Sequence, residues 1–134
     1  MNKLVSLSLL LVMAGSAYQC NNKMVAADSV LKGKLVISEI CSHFVIQVTS
    51  GKLDTAFVTN GWKDDKRNKT YDNVFTVSNR CGFADMKLKE GDEFEFIIDK
   101  NPPPENCLVC MAFYPTPPKR NAIKLSQPRE GSKP

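Results

Sequence analysis

Apolar and polar residues alternate most clearly over residues 93–98, where Phe94, Phe96 and Ile98 interleave with Glu93, Glu95 and Ile97. A period of two is that of a strand with one buried face. The same period recurs in Phe44, Ile46 and Val48, and in Phe75 and Val77. Leu35-Val36-Ile37 is a β-branched apolar run of the kind that sits in a sheet. The pattern therefore predicts two strands within residues 32–49, one over 73–79 and one over 93–98. Further strands are expected at 54–59 and 107–114, with a short edge strand at 121–126. Phe44, Ile46, Phe75, Val77, Phe94, Phe96 and Ile98 should point inward. Residues 60–73 hold a polar run between Trp62 and Tyr71, read as a hairpin or long loop with the two aromatics facing across it. Pro102-Pro103-Pro104 forms a stiff loop that cannot pair in a sheet. No segment carries a sustained helical period, although residues 84–89 have room for one turn.

Short strands separated by turn signals at roughly ten-residue spacing predict a mainly β fold. Residues 88–94, Leu-Lys-Glu-Gly-Asp-Glu-Phe, resemble the turn-into-strand element of small barrels, the OB-fold among them. There the turn glycine takes a conformation that other residues resist. The resemblance implies a small OB-like or related barrel or sandwich of five to six strands.

The N-terminus follows a different pattern. Lys3 is followed by an apolar run over residues 4–14, then by Gly15-Ser16-Ala17, with no charge before Lys23. This is the three-part layout of an export signal, and the run is too short to span a bilayer. Residues 1–19 are read as a signal sequence, 20–31 as a linker, 32–126 as one β-rich domain and 127–134 as a disordered tail. Two processing routes fit. Cleavage after Ala17 would free a soluble protein. Alternatively Cys20, followed by Asn21-Asn22-Lys23, resembles the lipid-acceptor cysteine of bacterial lipoproteins, and a lipid there would be the chain's only hold on a membrane.

Cysteine number bears on that choice. The chain has five: Cys20, Cys41, Cys81, Cys107 and Cys110. Lipid on Cys20 would leave an even four in the domain, able to pair completely in an oxidising compartment. Two disulfides among Cys41, Cys81, Cys107 and Cys110 are the favoured reading. If residues 107–114 form a strand, Cys107 and Cys110 face opposite ways and take separate partners; if they form a turn, the pair can bond locally. Two other readings remain. Cys41, His43, Cys81, Cys107 and Cys110 together offer enough ligands for a tetrahedral zinc. Cys107 and Cys110 have the spacing of a thiol-redox pair, but no helix follows to stabilise a thiolate.

The remaining chemistry is sparse. The 134 residues carry a net charge of +4, or +3 once Lys3 leaves with the signal, too mild and scattered for nucleic acid. There is one histidine, no phosphate-binding glycine loop and no nucleophile motif. Asp64 and Asp65, in a lysine-rich stretch, read as solvated surface, as do Glu93 and Glu95. Trp62, Tyr71 and Tyr114 are candidates for an aromatic platform, with rim packing as the alternative. Asn68-Lys69-Thr70 fits the N-glycosylation acceptor pattern, which carries no meaning in a bacterial-type exported protein. Asp28-Ser29-Val30 and Asp54-Thr55-Ala56 resemble bacterial O-glycosylation acceptors. The mature chain resembles the small exported or lipoprotein-type envelope domains of Gram-negative bacteria, which implies compartment and size and carries over no active residues. The expectation is a periplasmic or membrane-anchored barrel without catalytic residues or cofactor, binding an envelope protein, a peptide or a saccharide. The alternative is an envelope metal-binding (zinc) or thiol-redox protein using Cys107 and Cys110.

Overall fold

The computed structural model describes residues 29–108 and 110–126. The signal sequence, Cys20 and the tail lie outside these residues. Eight strands form: β1 (Leu31–Glu39), β2 (His43–Ser50), β3 (Trp62–Asp64), β4 (Lys69–Tyr71), β5 (Val74–Val77), β6 (Glu93–Ile98), β7 (Arg120–Asn121) and β8 (Ile123–Leu125). A short helix, α1 (Arg80–Asp85), separates β5 from β6. Six strands make one sheet in the order β7-β5-β2-β1-β6-β8, and β3 and β4 pair as a separate hairpin.

The two edge strands of the large sheet are consecutive in the chain. Only Ala122 separates β7, which runs parallel to β5, from β8, which runs antiparallel to β6. One short segment therefore touches both ends of the sheet. Asn121 O accepts from Ser78 N at 2.9 Å, and Ala122 O accepts from Asp99 N at 2.8 Å. The sheet must curl to permit this, and the result is a small, mainly β barrel of OB-like form.

The barrel interior is apolar and largely aromatic. Leu31, Leu35, Phe44, Ile46, Phe75, Val77, Phe96, Ile98 and Ile123 are buried there, Phe94 packs against them, and α1 contributes Phe83. Ring contacts run without a break from Phe44 to Phe83 (4.8 Å), Phe94 (6.1 Å), Phe96 (5.9 Å) and Phe75 (5.9 Å). All seven residues expected inside belong to this cluster. Gly33 of β1 lets the curled strands approach: a Cβ there would lie 2.7 Å from Phe96 and 2.8 Å from Ile46.

A register shift in β1 between Leu35 and Ile37 redirects the side chains beyond it. Leu35 points into the barrel, whereas Val36 and Ile37 join Val45, Tyr71, Val74 and Tyr114 in a second cluster, against which Trp62 packs. The hairpin is thus docked on the outside of the barrel. Trp62 and Tyr71 are register partners and stack at 5.9 Å.

Three local expectations need correction. Residues 54–59 form turns and contribute to pairing only through the single bridge Thr59–Val74. The Asp54 carboxylate accepts from Ala56 N at 2.7 Å and its carbonyl from Phe57 N at 2.9 Å, which bends the chain before a strand can start. The single helical turn falls at Arg80–Asp85 and not at 84–89. The described residues of 107–114 form no strand. Prolines bracket that run and cross-links hold it away from any sheet edge.

Candidate functional site: a loop pinned by two disulfides

Residues 101–113 leave the barrel after β6, and every described one of them is exposed. Little holds this segment. Cys41 bonds Cys110 and Cys81 bonds Cys107, with Cα separations of 5.0 and 5.8 Å. Cys107 and Cys110 thus take separate partners, as strand alternation would have given, but here a loop presents them. Cys41 lies in a 3-10 turn, Ile40–Ser42, and Cys81 lies in α1. The Cys41 bridge forms from a left-handed backbone: Cys41 has φ 61° and Ser42 φ 56°. Such positions cost non-glycine residues on the order of 1–3 kcal/mol and persist only where the surroundings impose them.

Hydrogen bonds add further ties. At the start of the segment Asp99 Oδ1 accepts from Asn101 N at 3.1 Å, and two more lie further along. Glu105 Oε1 accepts from Cys81 N at 2.8 Å. The Ala112 carbonyl lies 2.9 Å from His43 Nε2, which must therefore carry the ring proton. His43 Nδ1 is left buried without a partner.

The side chains so displayed are apolar. Leu108, Met111 and Phe113 are 104%, 98% and 85% exposed, and Ile40, beside Cys41, is 67% exposed. Because Cys41 and Cys110 are bonded, Ile40 and Met111 have Cα atoms no more than about 13 Å apart. Large apolar side chains gathered in this way on a monomer's surface mark an interaction site more often than chance. The pattern of residues 107–114 gave no hint of it, because apolar content there reads as burial. The brackets Pro104 and Pro115 were the available signal.

The loop ends at Tyr114, which is buried. Its hydroxyl donates to Asp64 Oδ2 at 2.9 Å and accepts from Arg67 Nη1. Asp64 is fully buried and also accepts from Lys66 N at 3.0 Å and Arg67 Nη1 at 3.2 Å. Asp64 therefore corrects the solvated-surface expectation, whereas Asp65 is exposed and pairs with Lys63. Arg67 further donates to Glu39 at 2.8 Å and Glu90 at 3.0 Å. Burial opposes the Arg67 charge, but the Glu39 hydrogen bond and the nearby Glu90 and Asp64 outweigh it and raise its pKa. Burial, then the hydrogen bond to Asp64, push the Tyr114 phenol up to about 12. Burial likewise raises Tyr71, with Arg67 opposing. This network couples the loop, the hairpin, β1 and the turn before β6. Sequence reading missed it, although alternation along β3 places Trp62 and Asp64 on one face.

The expected aromatic platform residues Trp62, Tyr71 and Tyr114 all belong to the cluster under the hairpin, with Tyr71 and Tyr114 buried and Trp62 half-buried. Cys41, Cys81, Cys107 and Cys110 have their sulfurs bonded in pairs. Among the described residues no three His, Cys, Asp or Glu side chains are grouped to hold a metal. No described helix is long and apolar enough to cross a membrane. No family model, curated protein or solved structure matches the chain.

Proposed function

We propose that this protein is a non-enzymatic binding domain of the cell envelope that engages a protein partner through the loop of residues 101–113. The observation that carries this reading is the near-complete exposure of Leu108, Met111 and Phe113 beside Ile40, on a segment that two disulfides fix to the barrel. A free apolar loop would collapse onto the domain, while a pinned one keeps its side chains available and has less entropy to lose on binding. Disulfides support a non-reducing compartment, in keeping with the export signal read at residues 1–19. The single histidine donates to a carbonyl and Asp64 is saturated with donors, so neither is offered to a substrate.

A photo-activated cross-linking residue placed at Leu108, in the cell that makes the protein, tests the reading. It is expected to give a discrete protein adduct that the same residue at Glu95, on the exposed face of β6, does not give. Equal labelling from the two positions would overturn it.

A further inference from the structure

Resting on that reading, we infer that the partner is an endopeptidase, and that residues 110–113 occupy its substrate cleft with Met111 in an uncharged apolar specificity pocket. The backbone comes first. Residues 105–114 contain no proline. Among their described members, Ala112 O is the one backbone group with a hydrogen-bond partner. Apart from Ala112 O, the described backbone groups of residues 110–113 can therefore pair with a cleft wall, as an extended peptide does when it adds to a strand. The side chains come next. Met111 and Phe113 are fully or nearly fully exposed. The only charge in residues 101–118 is Glu105, which is engaged by the Cys81 amide. A pocket reading this loop must therefore be apolar and neutral.

The geometry also selects the kind of cleft. The run is fixed at both ends, by Cys110 bonded to Cys41 and by Tyr114 buried on Asp64. A partner that takes an interior segment needs a groove open at both ends, which is what an endopeptidase presents. A second copy of the chain is a poorer occupant. The four exposed apolar side chains offer on the order of 600 Å², short of the ~800 Å² per side of a standard interface. A concave cleft can cover more than one face of a protruding loop.

The same two anchors limit turnover. Hydrolysis after Met111 would break its bond to the Ala112 nitrogen and add one water, leaving a carboxylate on Met111 and an ammonium on Ala112. Neither end could leave. Cys110 holds the first through its disulfide, and the Ala112 carbonyl on His43 together with Tyr114 on Asp64 holds the second. The amine stays at high effective concentration beside the acyl group, so re-formation of the bond competes with release. The loop then acts as an inhibitor and not as a substrate.

The experiment uses the oxidised full-length mature chain with chymotrypsin-, subtilisin- and trypsin-type endopeptidases. Competitive inhibition of at least one of the first two is expected, with none of the trypsin type, which prefers basic residues. Met111→Lys should weaken the first effect at least tenfold and create inhibition of the trypsin type. Position 111 is exposed, so an unchanged melting temperature would show the variant folded. Absence of inhibition with all three enzymes, or inhibition that Met111→Lys leaves unchanged, would overturn the inference. In that event a surviving adduct from position 108 keeps the partner-binding reading, and its loss removes that reading too.

Discussion

Tyr114 joins the loop to the hairpin through a single oxygen that accepts from Arg67 and donates to Asp64. That donation fixes the proton on the phenol. Deprotonation would place a second negative charge against a buried carboxylate, and burial adds to the cost, so the pKa rises from 10.0 to about 12. The unfolded chain loses the same proton near 10. The folded state therefore holds the proton more tightly, and Tyr114's contribution to stability is complete below pH 10 and lost as pH climbs through 12. An alkaline ultraviolet titration should show a late tyrosine ionisation in the native protein. Tyr114→Phe should remove one late ionisation and leave that of Tyr71, which burial also raises, and its stability should fall less steeply between pH 10 and 12 than that of the parent. A parent protein whose tyrosines all titrate near 10 while still folded would refute the hydrogen-bond assignment.

At the level of elements, the hairpin β3–β4 depends on the same network, because it belongs to a separate two-stranded sheet. Two-stranded pieces are marginal unless they pack on something. Trp62 and Tyr71 supply apolar packing, and Asp64 supplies the polar tie. Asp64→Ala leaves Tyr114 and the Lys66 amide without their acceptor, while Arg67 keeps Glu39 and Glu90. The expected loss is about 2–4 kcal/mol by urea unfolding, below the full cost of stranding a buried charge. Amide exchange should rise first in residues 62–71. Much at this scale was legible in the sequence. Strand β6 announces itself because one face is more deeply buried than the other, which imposes a period of two. Strands β2 and β5 keep that period in Phe44, Ile46, Phe75 and Val77, although the second cluster also covers Val45 and Val74 on their outer face. The Trp62–Tyr71 pairing was legible because aromatics flanking a polar run have few other ways to be buried. Residues 107–114 were misread because composition reports what a side chain prefers and not whether its backbone can reach a sheet edge. Asp64 was misread because a carboxylate among lysines looks solvated until its strand neighbours are considered. The curl that brings β7 and β8 into one segment has no local signal, since it depends on pairings between distant strands.

For the whole molecule, the barrel and the disulfides divide the work of stability in different places. The barrel is held by its aromatic interior and by the segment at residues 120–125 that touches both edges of the sheet. The disulfides lie at one end and span 69 and 26 residues. By loop-closure entropy each contributes about 3–4 kcal/mol, the longer one more, less whatever the left-handed backbone at Cys41 and Ser42 takes back. Domains of this size have roughly 5–15 kcal/mol in total, so losing both bridges removes a large part of the margin. Reduction should lower the melting temperature by roughly 20–30 °C. Before reduction, Cys41, Cys81, Cys107 and Cys110 should be inert to an alkylating agent, and afterwards all four should react. A fall of less than about 5 °C would mean that the bridges serve only to hold the loop. The two single-bridge variants separate these roles. Cys81→Ser with Cys107→Ser removes the shorter closure and leaves Met111 tied beside Cys41. Cys41→Ser with Cys110→Ser removes the longer closure and frees the tip, so it should lower stability more and also weaken the cross-link from position 108.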